Sequence, residues 1–145
     1  MGHSLRRVLV HLVFSTKHRL PLLKTDGDLQ TCLNLFMAGV LKNLGCSPIM
    51  VNGYLDHMHP FFVLSPTVCL SDVVETVKAA STKWLRKQGG DLEFFAWQRG
   101  YAAFSVSPLR AEKTRRYVRN QRAHHERTTY LEELDDLHRL ASLGP

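Results

Sequence analysis

Two histidines, His57 and His59, have the residue type and spacing to do chemistry. They stand in the run Asp56-His57-Met58-His59, inside an apolar stretch with the character of a strand. Because side chains alternate along a strand, both imidazoles point to one face and Met58 to the other. Two imidazoles on one face can share a divalent metal, and Asp56 can orient one of them from behind. The run therefore indicates a metal site. The structural alternatives are surface or core histidines and a turn-forming aspartate.

A phenol and a carboxamide form the second candidate group. Tyr117 and Gln121 are four residues apart, a spacing that puts both on one face of a helix. A phenol with a pKa of about 10 needs a metal or basic group nearby to act as a nucleophile. An amide oxygen suits Mg²⁺ or Mn²⁺ alongside imidazole. The pair can thus supply a nucleophile, Tyr117, and a third metal ligand, Gln121. The alternative is a core tyrosine and a solvated glutamine.

The helix that carries Tyr117 is strongly basic, and phosphate contact is the better interpretation of that imbalance. The candidate phosphate-binding residues on it are Arg115, Arg116, Arg119 and Arg122. A basic loop from Ser15 to Lys24 adds Lys17 and Arg19. The whole chain has a formal net charge of +6 and a pI near 9.5. These values favour a polyanionic partner, either nucleic acid or a membrane surface.

Several classes of protein are disfavoured by the composition. No apolar run approaches the roughly 20 residues of a membrane-spanning helix, and no signal-peptide core is present, so we expect a cytoplasmic protein. The three cysteines show no CxxC pairing and are expected to be reduced thiols. We find no GxSxG, Walker-type, GxGxxG or HExxH pattern, which disfavours the hydrolase, nucleotide-binding and metalloprotease classes.

Hydrophobic periodicity predicts the elements that must hold these residues. Strands are expected over Arg7–Phe14, Pro48–Leu55 and His57–Leu64, with a fourth inside Phe94–Ser107. Helices are expected over Thr25–Leu44, from Ser71 or Asp72 to about Gln88, from about Arg110 to Arg127, and after a capping box at Thr129–Glu132. The order β-α-β-β-α-β-α with a C-terminal helix predicts one α+β domain over residues 1–145, with a ferredoxin-like or RRM-like antiparallel sheet and helices on one face. Proteins with several different functions share this fold, so the fold does not identify the function.

An aromatic stretch precedes the last predicted strand. Trp97, Tyr101 and Phe104 interleave with Gln98 and Arg99. Aromatic rings beside amide and basic groups can stack unpaired bases. The alternative is that these rings anchor the core or a turn.

The chain resembles the single-tyrosine HUH transposases of prokaryotic insertion sequences, including the group associated with repetitive extragenic palindromes (REP). The resemblance covers nearly the whole chain. It rests on VHLVFSTKHRLPLL, LKNLGCSP, the His57-Met58-His59 triplet, STKW, FAWQRGYAAFSVS and YVRNQRAHH. The order and spacing of these runs make the resemblance specific, whereas the histidine triplet alone would be weak.

The resemblance implies a metal-dependent DNA strand transferase that binds hairpins of single-stranded DNA. Tyr117 would attack a phosphate to form a 5′-phosphotyrosine link and leave a free 3′-OH. His57, His59 and Gln121 would hold the Mg²⁺ or Mn²⁺ ion, and the 3′-OH would then rejoin strands without hydrolysis. Members of the family work as homodimers in which the tyrosine helix can serve the partner's histidines. The implied setting is the prokaryotic cytoplasm, at the nucleoid.

Two other functions stay open. One is a degenerate or domesticated relative that binds hairpin DNA without cutting it. It is favoured by Pro60, which follows the second histidine where the family has a leucine-like residue and which removes a donor from the strand. The other is an RNA-binding ferredoxin-like domain that uses aromatics on the sheet face, although no clear RNP1-like run is present. Metal-dependent cleavage would separate the strand transferase from both of these alternatives.

Overall fold

A computed structural model of the protein describes residues 4–125 and 129–142. One antiparallel sheet has the strand order β2-β3-β1-β4. The strands are β1 (Leu9–Ser15), β2 (Ser47–Tyr54), β3 (His57–Val63) and β4 (Ala102–Val106). The helices are α1 (Leu29–Asn43), α2 (Leu70–Arg86), α3 (Ala111–Arg119), α4 (Gln121–His125) and α5 (Tyr130–Ser142). This arrangement confirms the predicted α+β class and its order of strands and helices.

Helices α1 and α2 cover one face of the sheet. Beneath them lie alternate residues of β1 and β3, which form the larger core with side chains from both helices: Val10, Leu12, Phe14, Met58, Phe62, Leu33, Met37, Val73 and Val77. Because neighbouring strand residues face opposite ways, the set that includes His57 and His59 must lie on the other face. The larger core therefore fixes which face carries the candidate chemistry.

The buried face of α2 is not purely apolar. Ser81 and Leu85 are buried, whereas Trp84 is only partly buried and stacks on Phe36 of α1 with ring centroids 5.5 Å apart. Ser81 is accommodated because its hydroxyl donates to the Val77 carbonyl at 2.6 Å and accepts the Trp97 indole N–H at 3.0 Å. A buried hydroxyl with both partners satisfied costs little, so the helix can turn this polar residue inward.

Helix α3 packs on the opposite face, so the expectation of helices on one face was incomplete. Val118 of α3 forms a small buried cluster with Leu9 of β1 and Phe61 of β3. His11, two residues after Leu9, is on the same face and is 3% exposed. The described helices thus cover both faces around the candidate residues.

The predicted single helix from Arg110 to Arg127 is two helices in the structure. Asn120 separates α3 from α4 with φ −94° and ψ 24°, and residues 126–128 lie outside the described part. The Asn52 side chain of β2 donates to the Arg119 carbonyl at 2.9 Å and so occupies an acceptor at the end of α3. Because of the break, Tyr117 and Gln121 belong to different helices.

The strand that carries the histidine pair is continuous. β3 runs through Pro60, which pairs with Val51 of β2, and His57 and His59 are both fully buried. Gly53 of β2 lies opposite Met58, and a Cβ at this glycine would collide with the carbonyl oxygen of His57. Pro60 therefore leaves the paired histidines on one face, and Gly53 permits the close strand approach beside them.

The remaining structural expectations concern membranes and cysteines. In the two described ranges, no helix combines the length and apolar character required to cross a membrane. Cys32, Cys46 and Cys69 are all free thiols, as their spacing predicted.

Candidate active site

His57 and His59 lie side by side on the face of β3 that α3 covers. Their ring centroids are 5.1 Å apart, and neither residue is exposed. Nδ1 of His57 is 2.7 Å from Oδ1 of Asp56. The carboxylate of Asp56 contacts Nδ1, so it can accept a proton carried there. When Nδ1 carries the proton, the lone pair on Nε2 is free to face the centre of the site.

A third buried histidine, His11, contacts His59 from the neighbouring strand. Nε2 of His11 lies 2.7 Å from Nδ1 of His59, and the rings stack with centroids 5.0 Å apart. Burial, together with the nearby His59, lowers the pKa of His11 to about 3. The sequence analysis did not identify this residue. The available signal was a single titratable side chain within the otherwise apolar strand VLVHLVF.

The carboxylate of Glu133 on α5 occupies the centre of the site. Its Oε1 lies 2.8 Å from Nε2 of His59, 3.1 Å from Nε2 of His125 and 3.4 Å from Nε2 of His57. Glu133 is only 1% exposed. The sequence analysis missed it, because Glu133 is one of four acidic residues in the segment 132–136; the available signal was its helical spacing with Tyr130, Leu134 and Leu137, which puts it on the apolar side of that helix.

His125 completes a group that could hold a metal ion. Its Nε2 is 2.8 Å from Nε2 of His57, and its ring stacks on Tyr54 of β2 at 5.4 Å. One ligand atom from each of four residues lies within 4.8 Å of the others, the four being His57, His59, His125 and Glu133. The sequence analysis assigned no role to His125, whose side chain is 3% exposed.

Tyr117 reaches the same centre from α3. Its ring lies 5.9 Å from those of both His11 and His59, and its hydroxyl donates to Oε2 of Glu133. Burial and the negative charge of Glu133 raise the pKa of the phenol above its ordinary value. In this arrangement Tyr117 is held as a neutral hydrogen-bond donor beside the histidine pair of its own chain.

Gln121 is buried beside Tyr117. Its side-chain Nε2 donates to the Tyr117 carbonyl at 3.2 Å, one helical turn back. Its Oε1 is buried and, within residues 4–125 and 129–142, accepts no hydrogen bond. An unpaired buried acceptor costs free energy, so this atom is suited to a ligand that supplies positive charge or a donor.

The protonation states follow from competition between burial and hydrogen bonding. Burial disfavours ionised Glu133, but hydrogen bonds from His125, His57 and His59 outweigh it and hold the pKa of Glu133 well below its usual range. Burial also acts to lower the pKa of His57, yet its bonds to Asp56 and Glu133 raise it overall. Burial dominates at His59 and lowers its pKa to about 4. The site therefore contains an ionised carboxylate beside two neutral imidazoles, His59 and His11.

The predicted phosphate-binding residues fall into two groups. On the tyrosine side, Arg116, Arg119 and Arg122 are exposed, whereas Arg115 donates two hydrogen bonds to Glu112, at 2.9 and 2.7 Å. In the basic loop, Lys17 and Arg19 are exposed, and Arg19 lines a cleft of about 760 Å³. Residues that line this cleft include Arg19, Arg99, Tyr101, Phe104 and Tyr130.

Trp97 does not join the aromatic side chains at this cleft. It is 8% exposed and packs edge-on against Phe14 and Phe95, with ring centroids 4.7 Å away in each case. Trp97 therefore anchors the core, which is one of the two possibilities that the sequence left open for this stretch. Tyr101 is 44% exposed and remains available.

Comparison with known proteins identifies the family. The family model described as "Transposase IS200 like" matches residues 4–121. The chain belongs to this family. A search of curated proteins finds no match. The transposase is similar in fold to a candidate transposase from Deinococcus radiodurans R1, with 19% identity, a TM-score of 0.64, and coverage of 83% of this chain and 96% of that chain.

The transposase is also similar to a REP-associated tyrosine transposase whose structure was solved bound to a REP hairpin. That likeness has 14% identity and a TM-score of 0.58, and it covers 86% of this chain and 74% of the other. At these identities both structures support the fold alone. The match to the family model includes His57, His59, Tyr117 and Gln121, but it ends before His125 and Glu133.

Proposed function

We propose that this transposase cleaves and rejoins single-stranded DNA through a covalent link to Tyr117, with His57, His59 and Gln121 as ligands of Mg²⁺ or Mn²⁺. The observation that carries the proposal is the convergence of the phenol on the histidine face of β3. The Tyr117 ring is 5.9 Å from the His59 ring, and its hydroxyl shares a carboxylate with His59 and His57.

The donor atoms around this point fit a divalent cation. Imidazole nitrogens from His57 and His59 face a common centre, and Gln121 has a buried oxygen with no hydrogen-bond donor in the described part of the chain. Imidazole with amide and phosphate oxygens is a suitable ligand set for Mn²⁺ or Mg²⁺. When bound, the cation would supply Lewis-acid polarisation of the scissile phosphate.

The chemistry assigned to Tyr117 is a balanced exchange of one ester for another. Its phenol oxygen bonds to phosphorus while the bond from phosphorus to the 3′ oxygen breaks. The electron pair leaves with the 3′ oxygen, which ends with a proton as a free 3′-OH, and the tyrosine ends as a 5′-phosphotyrosine. Attack by a 3′-OH on such a link reverses the exchange and restores the phenol, so the strand is rejoined without water.

The distribution of charge supports a single-stranded or hairpin DNA substrate. Exposed Arg116, Arg119 and Arg122 flank the proposed nucleophile, and Arg19 lies beside the aromatic cleft with Tyr101. Cationic side chains can follow the phosphates while Tyr101 stacks a base. We propose that Arg115 contributes less, because its guanidinium is already paired with Glu112.

We propose that one chain supplies both the nucleophile and its histidines, since Tyr117 contacts the site of its own chain. A homodimer, magnesium as the cellular metal, and action at the nucleoid in a prokaryotic cytoplasm remain proposals drawn from the resemblance. The prediction that residues 1–145 form one domain also remains a proposal.

The test is covalent capture of DNA. The purified protein is mixed with single-stranded DNA from both flanks of its own gene, with Mg²⁺ or Mn²⁺, and run on a denaturing gel. We expect a slower band that requires metal and disappears in Tyr117→Phe, while DNA binding by that variant is largely retained. An equal yield of adduct from Tyr117→Phe would refute the assignment of the nucleophile.

The same gel distinguishes the two alternative functions. Tight, salt-sensitive hairpin binding without an adduct would favour a relative that binds and does not cut. An RNA-binding domain of the open-sheet type is not favoured, because helices cover both faces of the sheet in the described part of the chain. Preference for single-stranded RNA over DNA, with no role for Tyr117, would reverse that judgement.

A further inference from the structure

We infer that Glu133 of α5 is the anionic ligand of the metal centre and also the group that positions the hydroxyl of Tyr117. This inference rests on the proposed function and adds a residue that lies beyond the matched family region. Its two carboxylate oxygens have separate partners. Oε1 faces His57, His59 and His125, whereas Oε2 accepts the phenol hydrogen and lies 3.1 Å from Nε2 of His124.

A buried position for the Glu133 carboxylate is costly unless its surroundings stabilise the charge. Glu133 is 1% exposed, and taking a carboxylate out of water costs several kcal/mol unless strong partners replace the solvent. A single cation would be sufficient for an ordinary buried ion pair. Instead, Nε2 atoms of three imidazoles lie within 3.4 Å of one oxygen. Convergence of three nitrogen donors and a carboxylate is the composition of a metal centre.

The surroundings hold α5 so that Glu133 faces this centre. Thr129 caps the helix, with its Oγ1 accepting the Glu132 backbone N–H at 3.3 Å and its carbonyl accepting the Glu133 N–H at 3.0 Å. One turn earlier on the same face, Tyr130 packs on His57 with ring centroids 4.7 Å apart. Helix α5 therefore belongs to the site, and its docking and the position of the carboxylate depend on each other.

The ligand set also predicts which cation is preferred. Imidazole nitrogens favour first-row transition ions over Mg²⁺, which prefers oxygen ligands and water. With His125 and Glu133 added to His57, His59 and Gln121, the centre has three imidazole nitrogens instead of the two that the sequence indicates. We therefore expect Mn²⁺ to bind more tightly than Mg²⁺.

The experiment measures Mn²⁺ binding to the full chain without DNA, by loss of the electron paramagnetic resonance signal of free Mn²⁺. Glu133→Gln keeps the shape and removes the charge. We expect its Mn²⁺ affinity to fall about tenfold or more, the range for disrupting a metal site. Glu132→Gln, at the exposed neighbouring position, is the matched control and should stay within about twofold of the parent protein.

Each outcome bears on one proposal or both. Parent-like affinity in Glu133→Gln, with binding lost in His57→Ala, would overturn the role of Glu133 and leave the proposed metal site intact. Absence of Mn²⁺ binding in the parent protein would overturn both. Circular dichroism checks folding. If Glu133→Gln does not fold, His125→Ala replaces it, and a fall in affinity supports the larger ligand set while parent-like affinity overturns it.

Discussion

Nε2 of His11 on β1 lies 2.7 Å from Nδ1 of His59 on β3. This contact bears on which ring nitrogen of His59 carries the proton and which carries the lone pair. If His11 accepts the Nδ1–H of His59, the other nitrogen of His59 is left unprotonated, and a cation would then replace the hydrogen bond between this nitrogen and the carboxylate of Glu133. His57 has the equivalent arrangement with Asp56 behind it. Each histidine of the pair is thus supported by a different neighbour.

We expect His11→Leu to weaken Mn²⁺ binding by about tenfold, because it removes the partner that orients His59. His11→Gln offers an amide oxygen at a similar distance and should recover most of the affinity. The measurement is Mn²⁺ binding in both variants, with denaturant unfolding to compare their stabilities. Equal affinities in the leucine variant and the parent protein would contradict this positioning role.

Gln121→Ala is expected to raise the Mg²⁺ concentration needed for half-maximal adduct formation by about tenfold, on the scale of other changes at metal sites. The stability cost should be small, about 1 kcal/mol, because the side chain makes one 3.2 Å hydrogen bond and leaves its oxygen unpaired in the described residues. Metal titrations of Gln121→Ala and His57→Ala are compared with that of the parent protein. Unchanged titrations in both variants would remove the proposed metal site.

DNA affinity should fall steeply with salt, and exposed arginines should account for part of that slope. Each phosphate contact to a single strand contributes about 0.7 to the slope of log affinity against log salt. We expect the triple variant Arg116→Gln, Arg119→Gln, Arg122→Gln to lose about 2 from the slope. Arg115→Gln is the matched control for the single variant Arg116→Gln, and it should lose much less than the value of about 0.7 expected for Arg116→Gln, because the Arg115 guanidinium is paired with Glu112. Equal losses would show that this pairing does not govern phosphate contact.

Substitution of Trp97 should affect stability alone, whereas substitution of Tyr101 should affect DNA binding alone. Trp97→Phe deletes part of a buried ring and its hydrogen bond to Ser81, so we expect a loss of about 1–3 kcal/mol in the free energy of unfolding with unchanged DNA affinity. Tyr101→Ala should leave stability nearly unchanged and weaken DNA binding by about 1–3 kcal/mol. Denaturant melts and hairpin titrations test both variants. A DNA defect confined to Trp97→Phe would restore the original base-stacking hypothesis for that residue.

Much of the fold was predictable because local patterns dominate it. Strand alternation put His57 and His59 on one face and Met58 in the core, and the structure has both features. The helix break at Asn120 was not predictable from periodicity, since residues on both sides continue a helical pattern. That break accompanies tertiary contacts, such as the hydrogen bond from Asn52 to the end of α3.

The sequence by itself determined the order of strands and helices, the basic surface, and the candidate pairs that are close along the chain. Only the tertiary structure brought His11 and Glu133 to His59, across separations of 48 and 74 residues. The physical reason is that periodicity reports which face of one element is apolar, whereas a buried polar contact forms between elements. Which of the four acidic residues of α5 meets a group of imidazoles instead of solvent is decided by how that helix packs against the sheet.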